Sequence, residues 1–307
     1  MTFAAGRGPK ARVDFNVEEM ARLVVEADAP IKGRDLLSPY VWEEAGKMKM
    51  LVRSAPRKLS DTGNTGAIHY GESDDGLTFH IHHIPVLAPD GGALDIGGCE
   101  DPTVVKWNDE YVVYYTGVDK TRASGQMLYA TGPSIDRLTK RGVAYASSET
   151  EGNTKEATIN RTLDGKWRLF FEFARNDASL IGVAFGEGVA GPWREQPAPF
   201  APRYRSWDNW HLSTGPLLTC DPEMPVMFYN GATRDARWRI GWIAFNADYT
   251  AVVDRCIEPL ITPPPPKERG DTDIAFASSV IARSNEISHL YFSRADQLMF
   301  RAVIRRS

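Results

Sequence analysis

The sequence predicts an all-β fold, a five-bladed β-propeller with a short N-terminal helical extension. Two observations support it: strand-like runs repeat along the chain, and the turns between them are rich in Gly, Asp and Asn. The repeat has steps of roughly 55–65 residues, near the upper end of propeller-blade periods. A β-sandwich is the structural alternative, but it gives no reason for a repeat of this length. The aromatic and β-branched runs are residues 49–53, 111–115, 167–171, 226–229 and 289–292.

The chain is predicted to divide into residues 1–34, an N-terminal extension with one helix, and residues 35–307, the five-bladed propeller catalytic domain. The helix is expected over residues 17–27, with Asn16 as its N-cap. It would pack over one end of its own propeller or join two copies of the chain in a homo-oligomer. The apolar residues at helical spacing are Val17, Met20, Ala21, Val24 and Val25.

Composition narrows the class of protein. With a net charge of −4 over 307 residues, the chain has no excess of basic residues, which argues against a nucleic-acid partner. The sequence has no apolar run of about 18 residues and no signal-peptide pattern, so no membrane partner is expected. Three cysteines without metal spacing fit a reducing compartment. The sequence therefore predicts a cytoplasmic protein with no metal and no cofactor.

The most informative motif is Gly97-Gly98-Cys99-Glu100-Asp101-Pro102, which leads into an apolar run. Adjacent residues on a strand point to opposite faces, so Glu100 and Asp101 can serve one site only where the backbone bends. Two acids at the mouth of a cavity are what acid-assisted glycoside chemistry requires.

Polar residues also recur where the inner strand of each repeat begins. Because the inner strands of a propeller converge on its axis, we expect these residues to share one central cavity. Without clustered His or Cys, the set does not predict a transition-metal site. The residues are Asp35 or Ser38, Glu100 with Asp101, Lys155 with Glu156, His211 with Ser213, and Asp271 or Asp273.

Besides residues 97–102, the chain contains the stretch Tyr-Gly-Glu-Ser-Asp-Asp-Gly-Leu-Thr-Phe at 70–79 and the motifs at residues 239–241, 253–255 and 259–263. On these motifs, from about residue 37 to residue 280, the chain resembles glycoside hydrolase family 130. That family comprises five-bladed propellers that act on β-mannosides, some as phosphorylases and some as hydrolases. The resemblance implies that Asp101 is the general acid, which in the family's phosphorylases protonates the leaving oxygen through a sugar hydroxyl. It also implies that Arg53 helps to hold the sugar.

Four positions depart from the family pattern. Thr103 stands where Arg usually follows the Asp-Pro pair, and Glu172 where phosphorylases tend to carry Arg. His211 replaces Lys, and Asn230 replaces the His of a Tyr-His-Gly turn. A phosphate dianion needs cationic or N–H donors. A Glu in place of Arg reverses the local charge, which favours water over phosphate as the attacking group.

The sequence thus predicts an inverting glycoside hydrolase for β-mannosides or related glycans, with Asp101 as acid and a Glu base. Glu172 is the first candidate for the base, Glu156 the second and Glu268 the third. One alternative is a β-mannoside phosphorylase that uses His211, Arg122 and Arg175 for phosphate. Another is a carbohydrate-binding propeller without turnover. The predicted oligosaccharide-binding residues are Arg53, Asp75, Glu100, His211, Asn230, Glu268 and Asp273.

Overall fold

A computed structural model of the chain describes residues 13–28, 31–58, 63–92, 94–148, 152–265 and 274–307. Glu268 and Asp273, two of the predicted binding residues, lie outside the described residues, as does Asp271. The described part contains no α-helix, and its one 3-10 turn lies at Ile135–Arg137. Nowhere in these ranges is a helix long and apolar enough to cross a membrane. The expectation of an all-β fold is confirmed.

The predicted N-terminal helix is wrong. Residues 15–27 form two strands, β1 (Phe15–Arg22) and β2 (Val24–Ala27). Two of the apolar residues on which the helix prediction rested, Met20 and Val24, are 42% and 55% exposed, so they do not form a buried helix face. With no helix in this part of the extension, the expected route to a homo-oligomer is absent there. The division of the chain at residue 34 stays a prediction.

The rest of the chain supplies the strands of five sheets in order. The first contains β3 (Asp35–Glu44), β4 (Lys47–Ala55), β5 (Ala67–Ser73) and β6 (Thr78–Leu87). The second contains β7 (Gly98–Trp107), β8 (Glu110–Val118), β9 (Gly125–Gly132) and β10 (Thr139–Tyr145). The third contains β11 (Gly152–Arg161), β12 (Trp167–Arg175), β13 (Ala178–Gly186) and β14 (Arg194–Gln196).

The fourth sheet is divided into two hydrogen-bonded sections. Its strands are β15 (His211–Ser213), β16 (Leu217–Leu218), β17 (Val226–Met227), β18 (Asn230–Ala232), β19 (Trp238–Ile240), β20 (Ile243–Phe245) and β21 (Val252–Arg255). The fifth contains β22 (Ala275–Ala282), β23 (Ile287–Arg294) and β24 (Leu298–Arg306).

The inner strands of these five sheets form a closed ring. β3 contacts β7, β7 contacts β11, β11 contacts β16, and β16 contacts β22, which returns to β3. The sheets are therefore the blades of a propeller around a central channel.

Tertiary pairing explains why residues 15–27 are extended rather than helical. β1 pairs antiparallel with β24 as the outer strand of the fifth blade, and β2 pairs parallel with β6 on the first. Phe15 then packs edge-on against Phe228 and Trp242, with ring centroids 5.2 and 5.5 Å away. A free sheet edge offers a row of backbone donors and acceptors, which outweighs a weak helical periodicity.

Candidate active site

Three inner strands carry the same irregularity at the end that faces the cavity. The pairing register shifts between Leu37 and Tyr40 in β3, and corresponding shifts occur after Glu100 in β7 and after Lys155 in β11. One residue in each bulge adopts a left-handed backbone, with φ of 53° at Ser38, 48° at Asp101 and 53° at Glu156. Each bulge turns two consecutive side chains toward the channel. This is the bend that the Glu-Asp-Pro motif requires.

These side chains line a cavity of about 400 Å³ at one end of the channel, which we call the central cavity. Its charged lining consists of six carboxylates and two cationic side chains. Trp238 and Phe276 supply an aromatic wall, with ring centroids 5.4 Å apart. The charged lining residues are Asp35, Glu100, Asp101, Glu156, Glu172, Asp296, Arg53 and Lys155.

Asp101 lies at the centre of a hydrogen-bonded group. Its Oδ1 accepts a hydrogen bond from Ser38 Oγ at 2.9 Å, and its side chain hydrogen-bonds the Glu156 carboxyl. Burial and the neighbouring Asp101 charge raise the pKa of Glu156 well above its usual range. Two carboxyls in contact hold one proton between them, because both cannot ionise cheaply at short range. The pair can therefore store a proton next to a substrate.

Glu100, the other acid of the motif, is bound to a cation. Its Oε1 lies 2.5 Å from Arg53 Nη2, and Arg53 also donates to the Thr65 carbonyl at 3.1 Å. Burial raises the pKa of Glu100, and the Arg53 charge opposes that rise. Arg53 Nε has no hydrogen-bond partner among the described residues. The ion pair with Glu100 fixes one wall of the cavity.

Glu172 reaches the cavity from β12, the second strand of the third blade. It is 3% exposed, and its Oε1 lies 3.4 Å from Lys155 Nζ on the adjoining inner strand. The carboxylate of Glu172 is the largest cause of the raised pKa of Lys155. The ammonium holds this carboxylate at the cavity wall without a direct bond to Asp101.

Asp296 is a cavity residue that sequence reasoning missed. It occupies the turn between β23 and β24 with φ of 51°, and its pKa is raised, first by burial and then by the charge of Asp101. In sequence, Arg-Ala-Asp-Gln reads as a solvated hairpin turn. The available signal was topological: the turn after the second strand of a blade lies at the same end as the start of its inner strand.

Neither His211 nor Ser213 lines the central cavity, contrary to expectation, and His211 stands behind the aromatic wall. Its Nδ1 accepts a hydrogen bond from the Ser179 backbone N–H at 3.1 Å, and its ring lies 5.6 Å from that of Trp238. Burial lowers the pKa of His211 and the Glu172 charge partly offsets this effect. With Nδ1 as the acceptor, the neutral ring carries its proton on Nε2.

Two predicted binding residues lie elsewhere. Asn230 is buried between the fourth and fifth blades, where Nδ2 donates to the Thr214 carbonyl at 2.6 Å and Oδ1 accepts from Ala277 N–H at 2.7 Å. Asp75 caps the exposed β5–β6 turn through the N–H groups of Leu77 and Thr78. Neither lines the central cavity.

Arg122 and Arg175, named for a phosphate, also lie outside the cavity lining. Arg122 donates to the Gly63 carbonyl at 3.2 Å, and Arg175 stacks over Phe173 at 5.1 Å. In the part of the chain that the structure describes, no three His, Cys, Asp or Glu side chains are arranged to hold a metal ion.

The raised pKa of Glu156 predicts a pH-dependent stability. The folded state keeps this proton while the unfolded state loses it near pH 4.5, so the stabilisation is lost as the pH rises through the folded pKa. Glu156→Gln mimics the protonated carboxyl. We expect its Tm to exceed that of the parent by a few degrees at pH 8, with the difference vanishing near pH 4.

Thermal unfolding of both proteins from pH 4 to 8 measures this effect. Glu110→Gln, which removes an exposed carboxylate, is the matched control and should show no such trend. A Tm difference between Glu156→Gln and the parent that does not change with pH would refute the prediction that the folded protein keeps a proton on the Glu156 carboxyl.

The fold and the site together define a β-propeller whose channel end is a carboxylate-rich cavity with an aromatic wall. Residues 49–303 match the family model described as β-1,4-mannooligosaccharide phosphorylase, and the chain belongs to glycoside hydrolase family 130. It is a carbohydrate-active enzyme of that family.

Individual relatives are distant. The chain is 22% identical over 241 residues to a 1,2-β-oligomannan phosphorylase of Thermoanaerobacter sp. (strain X514), covering 76% of this chain and 77% of the relative. It superposes with a TM-score of 0.73 on the β-1,2-mannobiose phosphorylase of Listeria innocua, at 18% identity and with 94% and 91% of the two chains covered.

A third similar structure has a TM-score of 0.72 at 23% identity, with 88% of this chain and 84% of that chain covered. Its description states that the family of mannoside phosphorylases contains glycoside hydrolases that target β-1,2 mannosidic linkages in Candida mannan. At these identities the superpositions establish the fold alone.

Proposed function

We propose that this enzyme hydrolyses β-mannosidic linkages of oligosaccharides with inversion, Asp101 acting as the general acid and Glu172 as the base. The main support for this proposal is the charge of the central cavity. Six carboxylates face two cations there, and each cation already contacts a carboxylate.

The proton for the leaving oxygen comes from the Asp101–Glu156 pair. Burial and the neighbouring Asp101 charge raise the pKa of Glu156, so the pair keeps a proton in the free enzyme. The hydrogen bond to Asp101 lets the proton pass to Asp101, and Ser38 Oγ keeps that carboxyl oriented. Asp101 then donates to the glycosidic oxygen or to a sugar hydroxyl that relays the proton.

Glu172 suits the base better than Glu156. An inverting enzyme separates its acid and base by roughly 6.5–9.5 Å to admit a water molecule. Glu156 hydrogen-bonds Asp101 and leaves no such gap, whereas the partner of Glu172 is Lys155. A water held by Glu172 would attack the anomeric carbon as the Asp101 side protonates the leaving group.

Phosphate is a poor fit to this lining. A dianion entering the cavity meets an excess of carboxylates at low dielectric, and repulsion there is far stronger than in water. To bind phosphate, Arg53 or Lys155 would have to exchange a carboxylate 2.5 or 3.4 Å away for the new anion. Water needs no such exchange.

Phosphorolysis is the second candidate, and the comparisons favour it over hydrolysis. The family model is described as a phosphorylase, and so are two of the relatives. The third structure's description also places hydrolases in the family. The charge of the central cavity therefore favours water as the attacking group, whereas similarity to known phosphorylases favours phosphate.

A product assay separates the two. Incubation with β-linked manno-oligosaccharides, with and without added phosphate, is expected to release free mannose at a rate that phosphate does not change. Nuclear magnetic resonance at early times should show the α-anomer first. Mannose 1-phosphate as the product would refute hydrolysis and establish phosphorolysis. Saturable binding with no cleavage would favour the third alternative, a carbohydrate-binding propeller without turnover.

A further inference from the structure

A second cavity, of about 790 Å³, adjoins the active site; we call it the basic cavity. It lies between β2, the segment that leads into β3, and the β23–β24 turn of the fifth blade. Asp35 and Gln297 line both cavities. A chain of sugars that leaves the central cavity over these two residues enters the basic cavity directly.

The charge of the basic cavity is opposite to that of the central one. Four cations line it, against the carboxylates of Glu26 and Asp35. Arg57 lies 3.5 Å from Asp35, so it is partly neutralised. The four cations are Arg22, Lys32, Arg34 and Arg57.

Arg34 is the cation of this cavity whose side chain is held in one orientation. Its Nε donates to Ser54 Oγ at 3.0 Å and its Nη2 to the Ser54 carbonyl at 2.9 Å, which fixes the guanidinium plane. Neither Arg34 nor its neighbours Arg22 and Lys32 makes an ion pair within the described ranges. Burial without a counter-charge lowers the pKa of Arg34. A partly buried, oriented guanidinium without a carboxylate is suited to a ligand oxyanion.

We propose that the basic cavity binds an anionic substituent, a carboxylate or a phosphate monoester, carried by the glycan whose scissile sugar occupies the central cavity. The proposal rests on the proposed glycosidase function. It makes the enzyme selective for acidic over neutral oligosaccharides, with Arg34 as the main specificity residue. Lys32 and Arg22 add long-range attraction that salt screens.

The test compares three probes: a neutral manno-oligosaccharide, the same oligosaccharide with a carboxylate at C6 of one non-scissile sugar, and its 6-phosphate. Binding to the turnover-deficient Asp101→Asn enzyme is measured by calorimetry, and kcat/KM on the parent. We expect the charged probes to be preferred roughly tenfold at low salt, as one charge-assisted hydrogen bond provides. Arg34→Gln should remove most of that preference.

Further variants show whether a loss of preference in Arg34→Gln could come from a folding defect. Arg22→Gln with Lys32→Gln changes two exposed residues and should also reduce the preference, while Arg283→Gln, an exposed arginine paired with Glu43 elsewhere, should not. Equal affinity for charged and neutral probes would overturn the proposal, even with hydrolysis intact. So would inorganic phosphate that binds at the Arg34 site without any preference for charged glycans. Failure of all glycans to be cleaved would refute the glycosidase, and the calorimetry would still report on the cavity.

Discussion

Replacing Asp101 by Asn is expected to lower kcat by about 10²–10⁴-fold, because it removes the group that delivers the proton to the leaving oxygen. Folding should be preserved for two reasons. Asn is nearly isosteric with Asp, and it tolerates the left-handed backbone that residue 101 adopts, with φ of 48°. The Asn oxygen can still accept from Ser38 Oγ, so substrate affinity should change little.

The measurements are steady-state kinetics on manno-oligosaccharides, calorimetric binding and thermal unfolding. Asp109→Asn is a matched control, because Asp109 also has a left-handed backbone, with φ of 63°, but lies on an exposed turn. It should leave kcat unchanged. If the Asp101 variant retains activity within a few-fold of the parent, Asp101 is not the acid.

Glu172→Gln is expected to depress kcat by a similar factor of about 10²–10⁴ while KM changes much less. The base acts on water as the transition state forms, so its loss weakens ground-state binding of the sugar only slightly. A structural role would give a different pattern. Loss of the Lys155 contact alone would lower Tm and leave kcat near the parent value.

The pH profile gives an independent check, since removal of an essential base should flatten the acidic limb of kcat. Glu187→Gln is the control: Glu187 pairs with Lys166 at 3.7 Å but is exposed. An unaltered acidic limb, or full activity in Glu172→Gln, would assign the base elsewhere.

Much of the fold was accessible from sequence because the blades are built from local hairpins. The spacing of strand-like runs predicted the repeat, and two adjacent acids predicted a bend at the start of β7. The same reasoning failed for residues 15–27. Their periodicity was ambiguous, and the free edges of the first and fifth blades decided the conformation.

The site was less accessible, for identifiable reasons. Asn230 looks like a ligand residue in its Asn-Gly turn, but its amide completes backbone hydrogen bonds between two blades. Asp296 looks like a surface turn and comes to the cavity only through the path of β23. Lys155 was placed at the cavity by its repeat position, but its contact with Glu172 depends on the register of β11 against β12. Cross-strand contacts of this kind are set by register, which no single segment encodes.

The pairing of β1 with β24 has a consequence for synthesis of the chain. Glu18 and Arg305 form an ion pair across 287 positions of sequence, so the fifth blade joins the first strand described to the last. During translation the earlier blades can form from adjacent hairpins, whereas β1 waits without a partner until β24 emerges. An unpaired strand and its vacant edge can be exchanged between two nascent chains.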